Sequence, residues 1–144
     1  MAHGDRAAIE ALIYGYAERI DAGDLAGVAA LFDGAVYRSD RGGRYEGSAA
    51  VAEVLTRLVK LHADGTPRTK HVTTNVIVEI DEAAGTATAR SYFTVFQQTT
   101  AVPLQPIVAG RYHDRFARAA GGWRFTERLI YMDLVGDLHD HLRT

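Results

Sequence analysis

The stretch RIDAGDLAG (Arg19 to Gly27) holds two aspartates with different tasks. Asp24 precedes LAGVAALF and is placed to cap a short helix. Asp21 falls in the last turn of the preceding helical segment, where partial negative charge already gathers and a carboxylate is mildly unfavourable. It is either a tolerated, solvent-facing helix end or a carboxylate kept for chemistry. General-base work is the chemistry open to it. A carboxylate that accepts a hydrogen bond from one histidine nitrogen fixes the tautomer and stabilises the imidazolium formed when the other nitrogen takes a proton.

The histidines differ in what their neighbours allow. His71 opens KHVTTNVIVEI, and strand alternation groups it with Thr73, Asn75 and Glu79, opposite Val72, Val76, Val78 and Ile80. That parity puts His71 on a polar face, unless a pocket is lined partly by polar groups or a bulge re-aims the ring. His113 lies between Arg111 and Arg115 on one strand face, opposite Tyr112 and Phe116, and reads as solvated or interfacial. His139 and His141, in DLHDHL, are two apart with no third ligand evident, so no metal site is expected.

Three further residues could assist. Tyr16 sits near the middle of an apolar helical stripe, where core packing is its default, although a buried hydroxyl still needs a partner. Tyr37 is either a sheet aromatic or a pocket residue. Arg128 alternates with Ile130 and Met132, and an arginine on an apolar face needs a paired anion or a pocket opening.

The elements that must position these groups are legible as two blocks. From Asp5, a plausible N-cap, Ile9, Leu12, Ile13, Tyr16, Ala17 and Ile20 recur at helical spacing, and Gly23 supplies a left-handed stop. A short helix follows Asp24, then a short strand in FDGAVYRSD ended by the turn RGG, then a helix from about Ser48 to His62 broken by DGTP. The second half reads as four strands, KHVTTNVIVEI, TATARSYFTVFQQT, IVAGRYHDRFARA and WRFTERLIYMDLV, with DEAAG and AAGG as hairpin turns. Pro103 and Pro106 interrupt the remaining connection or mark an edge. Helices followed by a long antiparallel meander predict an α+β fold, with helices on one face of a curved sheet and a pocket at the mouth of the resulting cone.

Composition bounds the rest. The chain has 144 residues, enough for one domain over 1–144 and too few for two in comfort. A formal net charge of −2 leaves no basic footprint for nucleic acid or an anionic membrane. The absence of cysteine removes disulfides, thiolate nucleophiles and Cys-ligated zinc. MAHGDRAAIEALI lacks the long apolar run of a signal peptide or anchor, so the expectation is a cytoplasmic protein.

The strings RAAIEALIYGYAERIDAGD, LFDGAVYRSD, KHVTTN and GRYHDRFARAAGGWRFTER, in this order of elements, resemble the SnoaL-like, ketosteroid-isomerase-like cone fold of the nuclear transport factor 2 superfamily. The resemblance extends to a branch containing scytalone dehydratase, bile-acid 7α-dehydratase and hexachlorocyclohexane dehydrochlorinase. That branch carries an aspartate at the end of the first helix and a histidine opening the first long strand, and Asp21 and His71 match those positions. Tyr16 stands at the spacing of a tyrosine in the bile-acid enzyme and departs from the lysine of the dehydrochlorinase. Arg128 matches an arginine that assists leaving-group departure, and Tyr37 an active-site aromatic.

The resemblance thus implies a cofactor-independent lyase or isomerase acting on a small hydrophobic molecule. His71 would be the base and Asp21 its orienter, with Tyr16 and Arg128 as catalytic helpers and Tyr37 in substrate binding. The alternative is a non-catalytic binding or assembly subunit on the same cone. A homo-oligomer, dimer or trimer, is expected through the outer sheet face, with the Tyr112/Phe116 or Trp123/Phe125 strands as its source.

Overall fold

The first apolar stripe forms α1 (Ala2–Asp21) in the computed structural model, which describes residues 2–143. Ile9, Ile13, Tyr16, Ala17 and Ile20 are buried along one face, the stripe that a period of 3.6 residues produces. The helix begins ahead of Asp5, which therefore does not cap it. Asp5 instead accepts hydrogen bonds from Arg118 Nη1 and Nη2 at 3.1 and 2.8 Å and from Trp123 Nε1 at 3.1 Å, tying the first turn to the last hairpin. Gly23, at φ +77, ends the helix, and a Cβ there would overlap the Gly65 carbonyl. Asp24 then caps α2 (Leu25–Ala30), accepting from the Gly27 N–H at 2.9 Å.

A short hairpin follows, β1 (Val36–Ser39) and β2 (Arg44–Glu46), and leads into α3 (Ser48–Leu58). β2, three residues long, is too short to show a period of its own in the sequence. α3 stops short of the expected His62, because Val59 turns to extended backbone and bridges Leu142 near the C-terminus. A long-range pairing ends this helix, not the local DGTP breaker.

The meander consists of β3 (Thr69–Asp81), β4 (Thr86–Gln97), β5 (Gln105–Ala119) and β6 (Gly122–Val135). Pro106 lies at the start of β5, where the pairing with β4 shifts register. The six strands run in the order β2-β1-β6-β5-β4-β3. Only β1 and β6 pair in parallel; the other pairs are antiparallel. The sheet is curved and unclosed and wraps α1, giving the α+β cone.

Two register shifts decide which side chains enter the cone. On β3, Thr69, His71 and Thr73 are the more buried set, and after the shift between Thr74 and Ile77 the buried set becomes Val76, Val78 and Ile80. Asn75, at φ +55, absorbs the extra residue, and asparagine is among the few non-glycine types that tolerate that region. The bulge lets the odd-numbered His71 and the even-numbered valines share the inner face, which uninterrupted alternation forbids. On β6 a shift opposite Arg115 and Phe116 does the same, so that Trp123 and Phe125 before it and Arg128 after it are all buried.

This inward turn corrects one expectation. The side chains of Tyr112, Phe116, Trp123 and Phe125 belong to the core and do not reach the outer sheet face. The outer sheet face carries Val72, Ile77 and Tyr92 instead, exposed by 40%, 44% and 53%. At Gly110 the backbone carbonyl of Tyr131 and the ring of Phe93 occupy the space that a Cβ would need. Gly110→Ala is expected to cost about 1–3 kcal/mol through overpacking, read as a lower urea midpoint. Among the described residues, no helix is long and apolar enough to cross a membrane.

Candidate functional site

The C-terminal end of α1 meets the start of β3, and there Asp21 finds its partners. His71 Nδ1 donates to Asp21 Oδ1 at 2.6 Å, the His71 backbone N–H donates to Oδ2 at 2.8 Å, and Thr69 Oγ1 donates to Oδ1 at 2.9 Å. Three donors offset what the helix dipole costs this carboxylate. Both side chains are largely shielded, with 6% exposure at His71 and 13% at Asp21. Burial pushes the Asp21 carboxyl up, but the hydrogen bonds and the imidazole outweigh it and hold the group below the usual carboxylate range. With Nδ1 committed to Asp21, Nε2 is the His71 nitrogen available to a ligand.

Tyr16 and Tyr37 meet hydroxyl to hydroxyl at 2.7 Å. Burial raises both phenols above their ordinary values, so each keeps its proton. One proton is spent within the pair. The other has no acceptor among the described residues and can be donated.

Arg128 lies one layer behind these rings. Its guanidinium is fully buried and grips Asp114 through two bonds, Nε to Oδ1 at 2.8 Å and Nη2 to Oδ2 at 2.9 Å. It also stacks 3.7 Å from the centre of the Tyr112 ring and 4.3 Å from that of Tyr16. Burial works against its charge, but Asp114 prevails and raises the guanidinium pKa. The arginine touches Tyr16 and is not part of the cavity wall.

A cavity of about 300 Å³ opens at this end of the cone, within the range of small-molecule sites. Its wall is mostly apolar, with residues such as Val54, Phe93, Val95 and Met132. Tyr16, Tyr37 and His71 also face it, and Asp21 stands behind His71 rather than in the wall. Among the described residues, no cluster of three or more histidine, cysteine, aspartate or glutamate side chains could hold a metal ion.

One wall comes from a segment whose function the sequence hid. After β6 the chain folds back over the cavity as a strap, bringing Leu138, His141 and Leu142 into its lining. DLHDHL by itself reads only as a weak metal pattern, and nothing local in it foretells that one histidine turns inward. Asp114, Tyr45 and Arg41 were likewise not singled out. Tyr45 lines the cavity beside Tyr37, its register partner across the β1–β2 hairpin.

Residues 2–129 match a protein-family model described as a SnoaL-like domain. No match is found among curated proteins. Among solved structures, a protein of unknown function from Mycobacterium tuberculosis is 28% identical, with a TM-score of 0.72 over 89% of this chain and 71% of that one. A protein from Novosphingobium aromaticivorans, proposed to be a scytalone dehydratase, is 21% identical, with a TM-score of 0.74 over 93% and 87%. The beta subunit of a proposed aromatic-ring-hydroxylating dioxygenase from the same organism is 18% identical, with a TM-score of 0.76 over 99% of both chains. The last two likenesses are of fold.

Proposed function

We propose that this chain, which belongs to the SnoaL-like domain family, is a cofactor-independent lyase or isomerase for a small, mostly apolar, carbonyl-bearing molecule. The observation that carries the reading is the 2.6 Å contact between Asp21 and His71 at the wall of an apolar cavity. His71 Nε2 takes a proton from the carbon beside the carbonyl, and the C–H electron pair moves to the oxygen as an enolate. Asp21 stabilises the imidazolium. The enolate then collapses to a double bond as a β-substituent leaves. A departing hydroxide takes the proton from His71 and becomes water, which returns the base to its starting form. If no group leaves, the same proton returns at another carbon and the reaction is an isomerisation.

Tyr16 or Tyr37 supplies the free O–H that stabilises charge on oxygen. Arg128 is assigned a positioning role: its charge and its stack on Tyr16 hold that ring, and through it the hydroxyl pair. Small ring compounds of polyketide or steroid-like type, or halogenated ones, suit an apolar space of this size. The exposed apolar residues of the outer sheet face are the surface on which we place self-association.

The test is a panel of cyclic β-hydroxy ketones, β,γ-unsaturated ketones and β-halogenated cyclic ketones, assayed without cofactor and with chelator. Enone absorbance reports all three classes, and halide release reports the third independently. Turnover of at least one class that disappears in His71→Gln supports the reading. Binding of panel members with no turnover above His71→Gln would favour a non-catalytic subunit and overturn it.

A further inference from the structure

The strap after β6 carries a polar group that the scheme above does not use. His141 is only 5% exposed, and its Nδ1 is buried with no hydrogen-bond partner among the described residues. Such an atom carries a desolvation cost that a protein commonly avoids. The ring forms part of the cavity wall and meets His71 edge to face, with centroids 5.8 Å apart.

The backbone around His141 is anchored on both sides. The His141 carbonyl accepts from Lys60 N at 2.8 Å, and Arg143 N donates to Leu58 O at 2.8 Å. The Asp140 carbonyl accepts from His62 Nε2 at 2.9 Å and from Gln97 Nε2 at 3.0 Å, while the Asp140 carboxylate accepts from Thr99 Oγ1 at 2.7 Å. Helix end, strand end and loop therefore converge to hold one imidazole against the cavity, with its Nδ1 unpartnered among the described residues.

We infer that His141 is a second catalytic residue, a neutral imidazole whose N–H donates a hydrogen bond to the substrate's carbonyl oxygen while His71 removes the neighbouring proton. This rests on the reading of the cavity as a carbonyl-substrate site with His71 as base. The division of labour follows from what each ring can do. His71 has given its N–H to Asp21 and offers only a lone pair. It cannot donate to a carbonyl until it has taken a proton. Among the described residues no carboxylate holds His141, and the neutral ring retains an N–H in either tautomer. Burial, with the nearby His71 adding to it, depresses the His141 pKa to about 3, so the ring stays uncharged at neutral pH. A neutral imidazole polarising a carbonyl beside a separate base is an established device.

Recognition of the oxygen can be read without turnover. The probes are 1-tetralone and tetralin, alike in rings and differing in one carbonyl, which can only accept. The parent is expected to bind the ketone more tightly than the hydrocarbon. His141→Phe should lower ketone affinity by roughly 3–10-fold and leave tetralin unchanged within error. The bound ketone's C=O stretch should move back toward its value in an apolar solvent in that variant.

If His141→Phe does not fold, ¹⁵N spectra of the parent decide. A His141 ring nitrogen resonance should move with tetralone and stay with tetralin. Equal loss of both probes in the variant, no preference for the ketone in the parent, or a His141 resonance indifferent to the carbonyl would each overturn the assignment. The lyase reading fails separately, by absence of turnover in a protein that still selects tetralone through His141.

Discussion

Replacing His71 with glutamine is expected to lower kcat on any substrate that the panel identifies by about 10²–10⁴-fold, with a far smaller change in KM. Glutamine is close to histidine in reach and can still donate an amide N–H to Asp21, so the junction of α1 and β3 should persist. It cannot accept a proton at neutral pH. Asp21→Asn is expected to lower kcat as well, by less, since the imidazole remains but its protonated form loses the adjacent negative charge.

The two variants also differ in stability against pH. Asp21 is held below the usual carboxylate range in the folded protein, so more protons are bound in the unfolded state as acid is added. Its contribution is fully present above the ordinary carboxylate pKa and is lost as pH falls through the folded-state value. Unfolding midpoints of the parent and Asp21→Asn should therefore converge in acid and separate toward neutrality. A His71→Gln protein that turns over at the parental rate would remove the base from the mechanism.

The second large effect concerns the ion pair behind the cavity. Asp114→Asn leaves the Arg128 guanidinium fully buried with no counter-charge, and the loss should be about 3–5 kcal/mol. For a chain of this length that is a fall in Tm of roughly 6–20 °C. Replacing both partners by apolar residues, Asp114→Leu with Arg128→Met, should restore most of the stability, since burying a charge pair gains little over a packed apolar pair.

Activity separates packing from positioning. If Arg128 only fills space and balances charge, the double variant regains kcat together with Tm. If it holds Tyr16 through the 4.3 Å stack, Tm returns while kcat stays low. A single Asp114→Asn variant as stable as the parent would show that the guanidinium finds compensation elsewhere, and the stability claim would fall.

Features with local causes are legible along the chain. The apolar period of α1, the stop at Gly23 and the cap at Asp24 all follow from residues within a few positions of one another. So do the alternation in the four long strands and the α+β class. The candidate residues were also legible. Asp21 is conspicuous because a carboxylate at a helix C-terminus lacks a local reason, and Arg128 because an arginine among apolar neighbours needs a partner.

Which of these groups meet follows from pairing and packing between distant segments. Whether His71 faces inward depends on the extra residue at Asn75, and a bulge is set by pairing with β4, which alternation along one strand cannot report. Arg128 found its anion in Asp114 on the neighbouring strand, not in a pocket opening, because the β5–β6 register places the two opposite each other. The early end of α3 and the inward turn of His141 share one cause, the return of the C-terminal strap to Val59. Periodicity is a property of neighbours along the chain. Cavities, bulges and straps are properties of neighbours across it, and these arise from which distant surfaces bury one another.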